Sequence, residues 1–162
     1  MLISFSGLPG VGKTTIAREL ARQIYAVHLS IDTIEEAIRS YVPAENDRYR
    51  AAYRAALELA KENLRLGRTV ITDCVNPIAI VRDTWRDMAL SEGAALIEVE
   101  IVCSDAPKLH SRWTTRVVGR TPRSQQVARF YEPWNRERIV VDTATETVET
   151  CVTMLRAAVS NE

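Results

Sequence analysis

The sequence lacks the cysteine arrangements of disulfide scaffolds and metal-binding modules. Its cysteines, Cys74, Cys103 and Cys151, are odd in number and form neither a Cys-x-x-Cys pair nor a Cys/His zinc spacing. No apolar run approaches the roughly 18 residues of a membrane span. The opening "MLISF" is also too short for the apolar region of a signal peptide. We therefore expect a soluble, unprocessed protein of a reducing cytoplasm.

The chain also has no formal net charge. Among 162 residues, 21 Lys and Arg balance 21 Asp and Glu, which argues against the broad basic field of a general nucleic-acid binder. Lysine is scarce, occurring only at Lys13, Lys61 and Lys108, and arginine supplies the other positive charges. Arginine is suited to bidentate hydrogen bonding with phosphates or carboxylates. The length and the 46% hydrophobic content fit a single domain over residues 1–162.

Five short apolar runs alternate with helical patterns along the chain. The runs are "LISFS", "AVHLS", "RTVITDC", "ALIEVEIV" and "RIVVD". The spacing predicts helices at 14–24, 33–40, 47–66, from Pro77 to Gly93 and at 106–116. It also predicts a short helix that ends at about 131 and a last helix over "ETVETCVTMLRAAV". This alternation predicts an α/β fold with a parallel sheet covered on both faces by helices. Such sheets bind ligands at the carboxyl ends of their strands.

The helix over 47–66 has the clearest pattern. Its apolar stripe consists of Tyr49, Tyr53, Leu57, Ala60 and Leu64. Gly67 follows the stripe and predicts a left-handed helix terminator.

The stretch "SGLPGVGKTT" lies between the first apolar run and the first helix. It matches the phosphate-binding pattern Gly-x-x-x-x-Gly-Lys-[Ser/Thr]. Glycines let the backbone wrap a phosphate closely, and the helix start adds its positive dipole end. We expect Lys13 to reach the terminal phosphates and the Thr14 hydroxyl to hold Mg²⁺. The predicted nucleotide contacts are Gly7, Leu8, Pro9, Gly10, Val11, Gly12, Lys13, Thr14 and Thr15.

Two aspartates follow predicted strands. Asp73 ends "TVIT", where its carboxylate could bind Mg²⁺ or cap the next turn. Asp32 follows the second strand and could accept the proton of an attacking hydroxyl or serve as the N-cap of the helix at Thr33. A nearby base favours an alcohol acceptor over a phosphate acceptor, which arrives already ionised. We predict further acceptor contacts from Arg39, Asn76 and Arg82.

The segments "GLPGVGKTT", "LSID", "VITDCVNP" and "YEPW…RIVVDTA" together resemble the small P-loop kinases. That family includes adenylylsulfate kinase, gluconate kinase, chloramphenicol phosphotransferase, zeta-toxin-like kinases and polynucleotide kinase domains, often described as AAA-type ATP-binding proteins. The resemblance implies a sheet order of 2-3-1-4-5 and supports Asp32 as the general base.

The resemblance also implies a lid, at about 112–124 in this chain. The segment contains Arg112, Arg116, Arg120 and Arg123. We predict Arg116 and Arg120 on the transferring phosphate, and Arg112 on adenine. The resemblance further places Thr143 and Ala144 beside the base, through backbone groups. Many relatives carry a longer stretch before "YEPW", so this lid is expected to be short.

Other nucleotide-dependent classes fit less well. The base-reading Asn-Lys-x-Asp of GTPases does not occur, and "LSEGA" echoes a transporter signature without its paired glycines. A mechanical AAA+ motor needs a longer chain. We therefore predict an ATP- and Mg²⁺-dependent phosphotransferase acting on a hydroxyl of a small molecule. The alternatives are a polynucleotide 5′-hydroxyl kinase and a non-catalytic nucleotide-binding module.

Overall fold

The computed structural model of the chain describes residues 1–41, 43, 47–116 and 129–160, with the backbone alone at 113–116. The strands are β1 (Leu2–Ser6), β2 (Val27–Ser30), β3 (Val70–Asp73), β4 (Leu96–Val102) and β5 (Ile139–Asp142). The helices are α1 (Lys13–Ile24), α2 (Ile31–Ile38), α3 (Arg48–Arg65), α4 (Ala79–Ser91), α5 (Ala106–Arg116) and α6 (Val148–Ser160). Within these ranges no helix has both the length and the apolar character needed to cross a membrane.

The strands form one parallel sheet in the order β2-β3-β1-β4-β5. The predicted α/β class and strand order are therefore confirmed. β1 lies at the centre, with Phe5 opposite Asp73 of β3 and Ser6 opposite Glu100 of β4. Because the strands are parallel, their carboxyl ends meet at one edge of the sheet. The loop that follows β1 begins at this edge.

Side-chain alternation along β1 separates two cores, since successive strand residues point to opposite faces. Ile3 and Phe5 join the core formed with α1 and α6, whereas Leu2 joins the core formed with α3 and α4. Ser4 and Ser6 share the face of Leu2 and are also buried. The sheet face toward α4 is thus apolar at its amino end and polar near the carboxyl edge.

The α3 helix is buried along a stripe of small residues. Ala52, Ala56 and Ala60 are fully buried, whereas the tyrosines and leucines of the predicted stripe are only partly buried. The members of the predicted stripe all pack on the core, and the buried face also includes Ala52 and Ala56, because alanine lets the helix backbone approach its neighbours closely while larger side chains fill the flanks. Gly67 has φ of 72°, which confirms the predicted terminator.

The start of α2 differs from the expectation for Asp32. β2 ends at Ser30 and α2 begins at Ile31, so Asp32 lies in the first helical turn. The Ser30 hydroxyl accepts a hydrogen bond from the Thr33 amide at 3.4 Å and caps the helix. The alternative role of Asp32 as the N-cap is therefore wrong, because a hydroxyl two residues earlier already fills that position. The predicted short helix near 131 lies mostly outside the described residues.

The alanine stripe yields a stability prediction. Ala56→Leu adds a branched side chain where no exposed surface remains, so we expect it to lower the free energy of unfolding by about 1–3 kcal/mol. Ala55→Leu on the exposed side of the same helix should change it by less than about 0.5 kcal/mol. Urea denaturation measures both values. Equal effects of the two substitutions would contradict the close packing of α3.

Candidate active site

The loop between β1 and α1 is shaped by glycines with positive φ. The φ angles are 134° at Gly7, 81° at Gly10 and 106° at Gly12. At Gly7 an added Cβ would lie 2.1 Å from the Ile101 carbonyl oxygen of β4. The Gly7 amide also donates to the Val75 carbonyl at 3.1 Å. Only glycine fits here, and it fixes the start of the loop between β4 and the turn after β3.

The amino end of α1 directly follows the loop. Its N-cap is Gly12, which makes no side-chain capping hydrogen bond, and its first turn contains no acidic residue. The positive end of the helix dipole is therefore not offset by a carboxylate from its own first turn. Together with the backbone amides of the loop, such a helix end favours a bound anion.

The Lys13 side chain crosses the loop. Lys13 is 8% exposed, and its Nζ donates to the Leu8 carbonyl at 2.9 Å. The ammonium is therefore held inside the curve of the loop. Its predicted contact with terminal phosphates stays a prediction, and it involves exchange of this carbonyl for phosphate oxygens.

Asp73 lies at the end of β3, buried beside the loop. Its Oδ2 and the Nε2 of His28 are 3.5 Å apart, and neither atom has a hydrogen-bond partner among the described residues. Burial by itself raises the pKa of Asp73. The side chains of His28 and Thr14 and the positive charge of Lys13 outweigh burial and lower that pKa below its ordinary value. Asp73 is therefore an ionised carboxylate with an unsatisfied oxygen.

These residues fit the predicted Mg²⁺ site. The Asp73 Oδ2 atom, which has no hydrogen-bond partner in the described part of the chain, and the neighbouring Thr14 hydroxyl provide the oxygen ligands that Mg²⁺ prefers. The described part of the chain holds no group of three or more His, Cys, Asp or Glu residues suited to a metal ion. Mg²⁺ is commonly bound through one or two protein groups plus substrate phosphates.

Asp32 and Arg39 are both exposed, with Asp32 in the first turn of α2 and Arg39 at its carboxyl end. Ser30 pairs with Asp73 across β2 and β3, and Asp32 follows two residues later with an exposed side chain. Arg39 is exposed and pairs with Glu36 at 2.9 Å. Asp32 is thus open to a bound molecule, whereas Arg39 would have to leave Glu36 to orient one.

Asn76 lies inside the protein and has φ of 47°. Its Nδ2 donates to the Phe5 carbonyl at 3.0 Å and to the Ser6 hydroxyl at 3.1 Å. Its Oδ1 accepts from the indole of Trp85 at 3.1 Å and from the hydroxyl of Tyr53. Asn76 therefore ties the end of β1 to α3 and α4. Its predicted contact with the acceptor stays a prediction, and the described side chain is wholly occupied by protein groups.

Arg82 is also buried, with 1% of its surface exposed. Its guanidinium donates to the carbonyls of Asn76, Glu132 and Pro133 at 3.1–3.4 Å and lies 4.5 Å from the ring centroid of Trp134. These contacts attach the segment after residue 129 to α4. The predicted acceptor contact of Arg82 stays untested, and its described partners all belong to the protein.

A cavity of about 330 Å³ lies beside the loop and α1. Arg112 and Thr143 line it together with the apolar side chains of Ile16 and Cys151. The Thr143 hydroxyl donates to the Val11 carbonyl at 2.7 Å, and Arg112 Nη1 lies 3.1 Å from that hydroxyl. The two residues predicted to flank the nucleotide base are therefore close together and directly against the phosphate loop.

The remaining predicted arginines are not described in comparable detail. Arg116 is the last residue of α5, and its side chain lies outside the described residues. Arg120 and most of the predicted lid fall within residues 117–128, which are also outside them. Their predicted contacts with phosphate stay predictions.

The structure brings the phosphate loop, Asp73, Arg112 and Thr143 together, and places Asn76 and Arg82 beneath them. Sequence reasoning missed three contributors: His28 beside Asp73, Glu132, and Lys108, whose Nζ donates to the Thr143 and Ala144 carbonyls at 3.2 and 3.3 Å. Glu132 Oε2 accepts from the Ala79 amide at 2.6 Å and caps α4 from 53 residues away. No local sequence signal identifies such a partner. For His28, its position in an apolar strand next to the strand of Asp73 was the available signal.

The family comparison gives one match. The model of the family described as "AAA domain" matches residues 2–133, most of the chain. No curated protein matches.

Solved structures share the fold. A protein from Chloroflexus aurantiacus J-10-fl has a TM-score of 0.80 at 19% identity, covering 99% of this chain and 96% of that one. The Mycobacterium tuberculosis APS kinase CysC, in complex with AMPPNP and APS, has a TM-score of 0.77 at 16% identity. The match covers 98% of this chain and 96% of that one. A gluconokinase from Sinorhizobium meliloti 1021 has a TM-score of 0.68 at 21% identity. The match covers 98% of this chain and 91% of that one. At these identities the likeness establishes the fold.

The contact of Gly7 with β4 yields a prediction. Gly7→Ala combines a strained φ with a clash against a backbone carbonyl, so we expect a loss of roughly 2–5 kcal/mol in the free energy of unfolding. Gly67→Ala is the matched control, since Gly67 also has positive φ but no atom within 4 Å of the added Cβ. It should cost about 1 kcal/mol. Urea denaturation of both variants separates the clash from the strain, and equal losses would refute the close approach.

Proposed function

This chain belongs to the AAA domain family, and we propose that it transfers the γ-phosphate of ATP to a hydroxyl group of a small molecule. One observation carries the proposal: a glycine-shaped loop, the Lys13 ammonium and the buried Asp73 carboxylate converge at one edge of a parallel sheet. APS kinase and gluconokinase, which share the fold, support a small acceptor. We also propose a cytoplasmic location.

On the donor side, the loop amides and the start of α1 bind the phosphates. Lys13 exchanges the Leu8 carbonyl for phosphate oxygens and carries its charge to the reacting group. Burial strengthens this interaction because water screens it less. Arg112, Arg116 and Arg120 are proposed to add positive charge from the lid side.

Thr14 and Asp73 are proposed to hold Mg²⁺ through the Thr14 hydroxyl and the Asp73 carboxylate. The bound ion would neutralise phosphate charge as the γ-phosphoryl group moves. The lowered pKa of Asp73 keeps this ligand ionised at neutral pH. His28 packs beside the carboxylate.

On the acceptor side, Asp32 is proposed as the general base. As the acceptor oxygen forms its bond to the γ-phosphorus, its proton passes to the Asp32 carboxylate. The bond from the γ-phosphorus to the bridging oxygen breaks, and ADP leaves with that electron pair. Because Ser30 caps α2, Asp32 has no capping role that would occupy it. Its carboxylate therefore stays available to a bound acceptor.

The acceptor class is tested by incubating the protein with ATP, Mg²⁺ and separate acceptors. These are sugar acids, adenylylsulfate, hydroxyl-bearing antibiotics and 5′-hydroxyl oligonucleotides, with ADP release as the readout. We expect one small-molecule class to stimulate ADP release, and phosphorylated oligonucleotide would favour the 5′-hydroxyl kinase instead. Lys13→Ala is the negative control and should lose most affinity for AMPPNP in calorimetry. Unchanged binding by that variant would contradict the role of the loop.

Asp32→Asn tests the proton transfer. The amide keeps the shape but cannot accept the proton, so we expect kcat to fall by about 10²–10⁴ with little change in the KM for ATP. Glu58→Gln on α3 is the matched control, since it makes the same chemical change on an exposed face that carries no site residue. An equal kcat for the Asp32 variant and the parent would exclude Asp32 as the base.

A further inference from the structure

Two carbonyl groups of the phosphate loop are bonded by side chains from outside the loop. The Val11 carbonyl accepts from the Thr143 hydroxyl at 2.7 Å and from Arg112 Nη1 at 3.5 Å. The Gly10 carbonyl accepts from the same Arg112 nitrogen at 3.5 Å. Arg112 also donates to the Thr143 hydroxyl at 3.1 Å, so the two side chains are bonded to each other as well as to the loop. These bonds fix the direction of both carbonyls.

The direction of a carbonyl sets the direction of the amide that follows it. In a planar trans peptide unit the C=O and the next N–H point to opposite sides. With the carbonyls of Gly10 and Val11 directed outward, the amides of Val11 and Gly12 are directed into the loop. In agreement, the Val11 amide donates at 3.5 Å to the Leu8 carbonyl, which also accepts from Lys13 Nζ at 2.9 Å. Inward amides beside an ammonium group are suited to bind an anion.

Thr143 takes its position from the sheet. It directly follows β5, is 9% exposed, and its amide donates to the Val102 carbonyl at the end of β4 at 3.0 Å. A Cβ added to Gly12 would lie 3.4 Å from the Thr143 methyl carbon, so the threonine also packs against the residue after Val11. The ends of β4 and β5 therefore place the hydroxyl against the outward side of the Val11–Gly12 peptide.

We propose that Thr143 is a positioning residue for the phosphate donor: its hydroxyl holds the Val11–Gly12 peptide with the Gly12 amide directed at the phosphates. The inference rests on the proposed function, because it takes the loop as the phosphate site. It assigns a role to the Thr143 side chain, separate from the backbone contact with the base that the sequence predicts.

Thr143→Val tests the hydroxyl, since valine keeps the branched shape and removes the hydrogen bond to Val11. The measurement is calorimetric binding of inorganic tripolyphosphate and of AMPPNP, each with Mg²⁺, to the intact protein. Tripolyphosphate has no base or ribose, so its affinity reports on the phosphate site alone. We expect the affinities for both probes to fall by a similar factor, about 5- to 50-fold.

Two variants serve as controls. Thr143→Ser retains the hydroxyl and should stay within about threefold of the parent for both probes. Thr153→Val makes the same substitution at an exposed position of α6 and should leave both affinities unchanged. Thermal melting verifies that each variant is folded. Thr143→Ala, which also lacks the hydroxyl, replaces Thr143→Val if that variant melts below the assay temperature.

An unchanged affinity for tripolyphosphate in Thr143→Val would overturn the inference, and so would an equal loss in Thr143→Ser. A loss confined to AMPPNP would also overturn it, because Thr143 would then contact the base or the ribose rather than hold the loop. If the parent binds AMPPNP but not tripolyphosphate, the loop does not hold phosphates by itself, and only this inference fails. If the parent binds neither probe, the proposed function fails with it.

Discussion

The contact between Gly7 and the Ile101 carbonyl is the constraint on which the site depends. It places the start of the phosphate loop against β4, while the Gly7 amide bonds the turn after β3. The loop is therefore fixed by backbone atoms on both sides of the central strand. Because α1 begins where the loop ends, its amino end and Lys13 take their positions from the same contact. A side chain at residue 7 would displace all of them.

The buried side chains beneath this loop are largely polar, which is unusual for a protein interior. Asn76 satisfies the carbonyl of Phe5 and the indole of Trp85, and thereby links β1 with α4. Arg82 satisfies the carbonyls of Glu132 and Pro133, and thereby links the segment that precedes β5 to α4. Buried polar groups are costly unless every partner is present, so this network favours one arrangement of the strand ends. Burial also raises the pKa of Cys74, in the same network, to about 12, which keeps its thiol neutral.

The two sides of the proposed reaction are built differently. The donor side is made of backbone amides, glycines and buried charges, so it is set before any ligand arrives. The acceptor side contains the exposed Asp32 and Arg39, and Arg39 pairs with a neighbour on its own helix. A preorganised donor site beside an open acceptor edge allows one fold to act on different acceptors, in keeping with the APS kinase and gluconokinase that share it.

Features that depend on nearby residues could be predicted from the sequence alone: the glycine loop with Lys13 and Thr14, the alternation of strands and helices, and the termination of α3 at Gly67. Each of these follows from backbone conformation or from periodicity within a few residues. The direction of side chains at turns depends instead on long-range contacts, because local rules allow several outcomes there. Asn76 and Arg82 turned inward because partners 50 to 71 residues away were brought beside them. Lys108 meets the carbonyls of Thr143 and Ala144 for the same reason, since only packing of α5 against the end of β5 joins residues so far apart in the chain.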